Sequence, residues 1–238
     1  MTYKEIYDIA MPEKKRKEER WNVWVTIAVR PLSILCTVPF TNTKVKPITI
    51  TKWSILANLI GSFFVAFAQN MTMSLVGCFF FFIWAVLDGV DGNLARSTNQ
   101  CSLMGDLWDT MGGYAAMVLI YFSAGIAAFF DTSMYSFCDT SWMLILGGAT
   151  AIMSIFPRLV MHKKKSLNIE DKSVKAISDK QNFSLSKIAA MNLVSPSGFM
   201  QVIFLLCIVF HVLNFFTIFY FVVNLGIMTL SLKELFKE

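Results

Sequence analysis

The stretch Met73–Asp109, MSLVGCFFFFIWAVLDGVDGNLARSTNQCSLMGDLWD, carries the reading of the whole chain. An apolar run from about Met73 to Leu87 holds no charged residue. Asp88, Asp91 and Arg96 follow it, then Asp106 and Asp109 open a second apolar run that reaches Phe130. Two such runs joined by a polar link read as a pair of membrane-crossing helices, with carboxylates gathered at their shared end.

The rest of the chain agrees. Of the 238 residues, 55% are hydrophobic and only 16% are charged, and the mean hydropathy is +0.57. Soluble domains carry about 25% charged residues, so lipid is the main solvent here. The 22 phenylalanines and 14 methionines exceed what a small soluble core would bury. The expected fold is an all-α integral membrane protein, with six transmembrane helices behind an N-terminal amphipathic interfacial helix. The interfacial helix is Trp21–Phe40, because Arg30 and Pro31 interrupt its apolar run and Trp21 and Trp24 suit headgroup depth. A polar link, Thr41–Lys46, leads to Pro47. The spans are about Trp53–Ala68, Met73–Leu87, Leu107–Phe130 and Trp142–Met161. The block Phe199–Leu232 is too long for one upright helix and is read as two, turning near His211–Asn214.

Charge placement orients this chain. Residues 1–20 form a basic tail with Lys14, Lys15, Arg16 and Lys17 in a row. With the Asp88–Asp106 loop, the Lys163–Pro196 link, Lys233 and Lys237, they make one set of alternate segments. The opposite set, Gln69–Met71, Asp131–Ser141 and the turn near His211, holds no lysine or arginine. The positive-inside rule places both termini and the Asp88 region in the cytoplasm, with a bacterial inner membrane as the expected home. No cleavable leader is expected. The basic run reads as a solvated tail or a seat for anionic headgroups, not as a nucleic-acid site. Five single cysteines, Cys36, Cys78, Cys101, Cys138 and Cys207, suggest neither a disulfide framework nor a zinc site.

Asp88 and Asp91 are spaced i, i+3, so a continuing helix projects both from one face. Asp109 returns to the same depth because the link is short. Clustered carboxylate oxygens suit Mg²⁺ or Mn²⁺, hard cations that also bridge substrate phosphates. Gly92 and Ala95 keep the helix wall thin for a nucleotide. Arg96 offers a planar donor fork to a diphosphate.

This spacing resembles the CDP-alcohol phosphotransferase (CDP-alcohol phosphatidyltransferase) signature, D-x-x-D-G-x-x-A-R-x8-G-x3-D-x3-D, matched at Asp88, Asp91, Gly92, Ala95, Arg96, Gly105 and Asp109. The resemblance extends to the helix layout and to Pro47-x-x-Ile50-Thr51, and so covers residues 21–238 as one membrane domain. It implies a transferase that moves a phospho-alcohol from a CDP-alcohol donor to a lipid or phosphorylated acceptor and releases CMP. It makes Asp88, Asp91 and Asp109 the ligands of Mg²⁺ or Mn²⁺, and Asp109 also catalytic. Asp88, Gly92, Ala95 and Gly105 would line the CDP pocket, with Arg96 on the donor's phosphates. It also implies a homodimer.

The signature's last aspartate falls on Gly113. Three explanations stand: a weakened member, another base such as Asp106 or a water, or an acceptor that needs no base. A phosphate monoester acceptor is already ionised and fits the third. Asp106 shares an azimuth with position 113 but lies about 10 Å away along an ideal helix. Arg158, beside Pro157, is a candidate acceptor contact, with snorkelling to the headgroups as the plain alternative. Arg30 and His162 are weaker candidates, and His211 lies on the far side. A transporter would show repeats with broken helices at matching positions, which this chain lacks. A silent scaffold is the rival reading, and metal-dependent CMP release separates the two.

Overall fold

The computed structural model describes residues 1–131, 140–167 and 185–236. Cys138, Lys237, residues 132–139 of the Asp131–Ser141 segment and residues 168–184 of the Lys163–Pro196 link therefore lie outside the described residues. Every regular element among them is helical. The N-terminal segment forms α1 (Tyr3–Ala10) and α2 (Glu13–Glu19). A single helical run follows, π-type at Val25–Val29, α-type in α3 (Arg30–Thr37) and 3₁₀-type at Val38–Asn42. The long helices are α4 (Pro47–Ala66), α5 (Met71–Ser97), α6 (Leu103–Phe130) and α7 (Ser141–Ser166). Then come α8 (Leu185–Val194), α9 (Phe199–Val209) and α10 (Leu213–Leu235).

Local chemistry sets these boundaries. Pro47 stands at the first position of α4, where its missing N–H costs nothing. Asn70 caps α5 by accepting from the Met73 amide at 2.9 Å, and Ser102 caps α6 by accepting from Gly105 at 3.0 Å. α5 stops at Asn99, whose φ of 54° is the left-handed conformation that asparagine tolerates. His211 has the same φ and ends α9, so the turn falls where expected. Asp88 and Asp91 thus sit inside α5, which runs on to Ser97, rather than in a loop, and α6 begins six residues before Asp109.

Six stretches have the length and apolarity to cross a membrane: Val25–Asn42, α4, α5, α6, α7 and α10. The number agrees with the sequence reading and the membership differs. α9 has 11 residues, about 16 Å of helix against a hydrocarbon core of about 30 Å, so α8 must act with it if the chain crosses there. Val25–Asn42 is long enough, and residues within it and soon after it contact the Asp91–Asn93 turn of α5. Arg30 bonds Asn93, and the helix opened by Pro47 carries Thr51 to Asp91. That geometry fits a segment lying along the bundle's end.

Residues 1–20 are no free tail. A capping box starts α1, with the Thr2 hydroxyl accepting from the Glu5 amide and the Glu5 carboxylate from the Thr2 amide. Ile6, Ala10 and Met11 are buried beside Ile34 of α3, and the Met1 ammonium donates to the Thr41 hydroxyl at 3.2 Å.

α4 packs between α5 and α6, whose own mutual contact is slight. Its buried Thr51, Ser54, Asn58 and Ser62 form a row of small and polar side chains that permits close approach on both sides. Glycines serve the same end. A Cβ on Gly77 would sit 2.7 Å from the Gly61 carbonyl oxygen and 2.9 Å from the Val65 nitrogen, and a Cβ on Gly125 of α6 would sit 2.8 Å from the Gly147 Cα of α7. Elsewhere, large apolar side chains such as Phe63, Phe79, Ile152 and Leu230 face outward, where lipid tails accept them. Gly77→Ala should therefore destabilise the bundle by about 1–3 kcal/mol and lower its melting temperature in detergent. Gly226→Ala meets nothing within 4 Å and should not lower it.

Candidate active site

α5 and α6 reach the same end of the molecule through the short link 98–102. The Asp88 and Asp109 carboxyls there lie within hydrogen-bonding reach of each other. Asp91 is 4% exposed; the Thr51 hydroxyl flanks its carboxyl, and its Oδ2 is buried with no partner. Asp88 is half-buried and Asp109 exposed, so the cluster opens at a mouth. As they stand, no three His, Cys, Asp or Glu side chains among the described residues are gathered tightly enough to hold a metal ion.

Beside the aspartates runs a cationic chain. Asn93 is fully buried, and its Oδ1 accepts from Arg30 Nη1 and from Arg96 Nη2, each at 3.2 Å. Its Nδ2 donates to the Ser33 hydroxyl at 3.2 Å. Arg30 continues into a bidentate pair with Glu19 at 2.9 and 2.6 Å. Gly92 holds the wall thin beneath this chain, since a Cβ there would lie 3.0 Å from Arg96 Nη2. Gly89 does the same against Ser33, where a Cβ would come to 2.6 Å.

Residues 45–223 match the family model of the CDP-alcohol phosphatidyltransferases. The chain belongs to this family. No curated protein gives a significant match. The family is one of membrane transferases that act on CDP-alcohols.

In this family member the position of the signature's last aspartate is open. A Cβ on Gly113 meets nothing within 4 Å. Asp106 is exposed, and its charge acts on both Asp109 and His162. The His162 Nδ1 lies 2.9 Å from the Tyr114 hydroxyl. Arg158 sits one turn before it within electrostatic range of Tyr114 and Tyr121, and α7 runs unbroken through Pro157. Ala95 is half-buried on α5, and the Gly105 amide donates to the Ser102 cap. Lys52 stacks over Trp108 at 5.1 Å, tying α4 to α6 next to Asp109.

The sequence reading missed Asn93, Thr51, Glu19 and Lys15. Asn93 stood inside the motif and was passed over as a spacer, although a polar amide between two charged residues on an apolar helix is a signal. Lys15 was absorbed into the basic run. It lies 3.6 Å from Glu19 Oε1, and burial, reinforced by the charges of Arg96 and Arg30, pushes its ammonium down from 10.5 to about 8.

The sign follows from linkage. The folded protein disfavours the charged form, so the penalty is complete below about pH 8 and is lifted as pH rises from there towards 10.5. In protein carrying ¹³C-dimethylated lysines, the Lys15 resonance should titrate with a midpoint near 8. A midpoint at 10.5 would contradict the burial.

Proposed function

We propose that the protein transfers a phospho-alcohol from a CDP-alcohol donor to a membrane-borne acceptor and releases CMP, with Asp88, Asp91 and Asp109 as ligands of Mg²⁺ or Mn²⁺. The observation that carries this is the partnerless Asp91 Oδ2 beside two carboxyls drawn into mutual contact. Neither Asp88 nor Asp109 has a salt bridge among the described residues, and oxygen donors of this kind suit a hard divalent cation. When bound, the cation would neutralise phosphate oxygens and stabilise the departing CMP.

The chain's own residues do the rest. Arg96, oriented by Asn93, presents guanidinium N–H groups to the donor's phosphates. Gly92, Ala95 and Gly105 leave room for the cytidine against α5 and α6. Asp109 orients the attack at the donor's β-phosphorus, and attack there breaks the bond to the CMP oxygen. Asp106 is the carboxylate left to accept a proton from an acceptor alcohol, since position 113 has no side chain. Arg158 would meet the acceptor from α7. The site and both termini would face the cytoplasm, following the lysine and arginine distribution, in a bacterial inner membrane for phospholipid or lipid-linked polymer synthesis, with the chain as a homodimer. A silent scaffold is the second reading, favoured by Gly113 alone.

Purified protein in detergent, given CDP-alcohols and lipid acceptors, should release CMP only with Mg²⁺ or Mn²⁺. Asp91→Asn should cut that release at least about a hundredfold, and CMP release that ignores both metal and Asp91 would overturn the reading. Gly113→Asp has space for its side chain and should raise turnover of an alcohol acceptor by about tenfold or more, in the range of a restored general base. An unchanged rate would assign the chain an acceptor that arrives ionised.

A further inference from the structure

The N-terminal helix α2 precedes the family match, which begins at residue 45, yet it reaches the mouth of the aspartate site. Its basic run is not uniform: Lys14, Arg16 and Lys17 are exposed, whereas Lys15 is half-buried. Lys17 is taken up by Glu13 at 2.7 Å, one turn earlier on the outer face. Lys15 instead turns inward to Glu19 Oε1, the atom that also accepts from Arg30 Nη2. Arg30 and Arg96 then share the single Asn93 oxygen. Lys15, Arg30 and Arg96 are therefore three cations joined through one carboxylate and one amide, and Arg96 Nε is buried without a partner. Packed like charges repel unless an anion completes the set. Glu19 is the one carboxylate bonded to the three cations, while Asp91 and Asp109 act on them only across the site, the field of Lys15 extending to Asp109.

We propose that Lys15 and Arg30 complete, with Arg96, a cationic seat for the diphosphate of the nucleotide donor, so that α2 is a built-in cap over the CDP site. The proposal rests on the transferase reading above and adds to it residues outside the family match. Glu19 holds Arg30 and Lys15 side by side before the ligand arrives, which removes part of the cost of ordering two long side chains. A lipid headgroup phosphate has the same chemistry as the donor's phosphates. The nucleotide is the occupant argued for because Asn93, the hub of the seat, lies two residues from Asp91.

The test is equilibrium binding of CDP and of cytidine to the full chain in nanodiscs of phosphatidylcholine and, separately, of phosphatidylglycerol. Lys15→Ala should weaken CDP about tenfold in both lipids, leave cytidine unchanged and keep the melting temperature. Lys15→Arg should retain most of the affinity, and Lys14→Ala and Lys17→Ala should match the parent chain. Equal CDP affinity in Lys15→Ala, in a parent that binds CDP, overturns this inference and leaves the transferase reading standing. An effect confined to phosphatidylglycerol discs assigns the seat to a lipid headgroup and overturns it too. A parent chain that binds no cytidine nucleotide overturns both.

Discussion

Asp88 and Asp109 face each other from two helices that barely touch, held in register by a third. α4 lies between α5 and α6, and its small polar row lets both approach closely enough for the carboxyls to meet. Two carboxylates at such separation repel, the more so where surrounding apolar side chains lower the local dielectric. A fold that holds them together is under electrostatic tension that protonation or a bound cation relieves. Gly61 and Gly77 belong to the same constraint, because without their close contact α5 could not lie where it does. The close-packed helices are, in this sense, the scaffold of a charge problem whose solution is the chemistry.

The cations answer from the other side. Arg96 belongs to the motif, but its position depends on Asn93, and Asn93 is shared with Arg30 from the segment before the first long helix. Glu19 in turn fixes Arg30. A row of side chains thus links the N-terminal helices, the segment along the bundle's end and the motif helix into one polar structure at the membrane surface. Such a network is worth more complete than in parts, since removing any member strands its neighbours.

Much of this was legible in the residues. The apolar run ending at Leu87, the aspartate spacing and the turn at His211 each follow from local rules of length, periodicity and backbone conformation. The family follows from spacing at Asp88 through Asp109. What escaped the sequence depends on contacts between distant parts of the chain. Lys15 differs from Lys14 and Lys17 only in what folds over it, and α9 is shorter than a span because α8 and α9 are separate helices. Val25–Asn42 has the composition of a crossing helix, and what it packs on is decided by contacts such as that of Arg30 with Asn93. Hydropathy measures what a segment tolerates; tertiary contacts decide where it goes.

Gly113 gives the account its sharpest chemical edge, because the space for a carboxylate is present and the carboxylate is not. The proposed metal site would then rest on Asp88, Asp91 and Asp109 alone. Electron paramagnetic resonance of Mn²⁺ titrated into the purified chain measures this most directly. The account requires saturable binding that disappears when Asp88 and Asp109 are both changed to asparagine. Binding of equal strength in that double variant, or no binding by the parent chain, would contradict it.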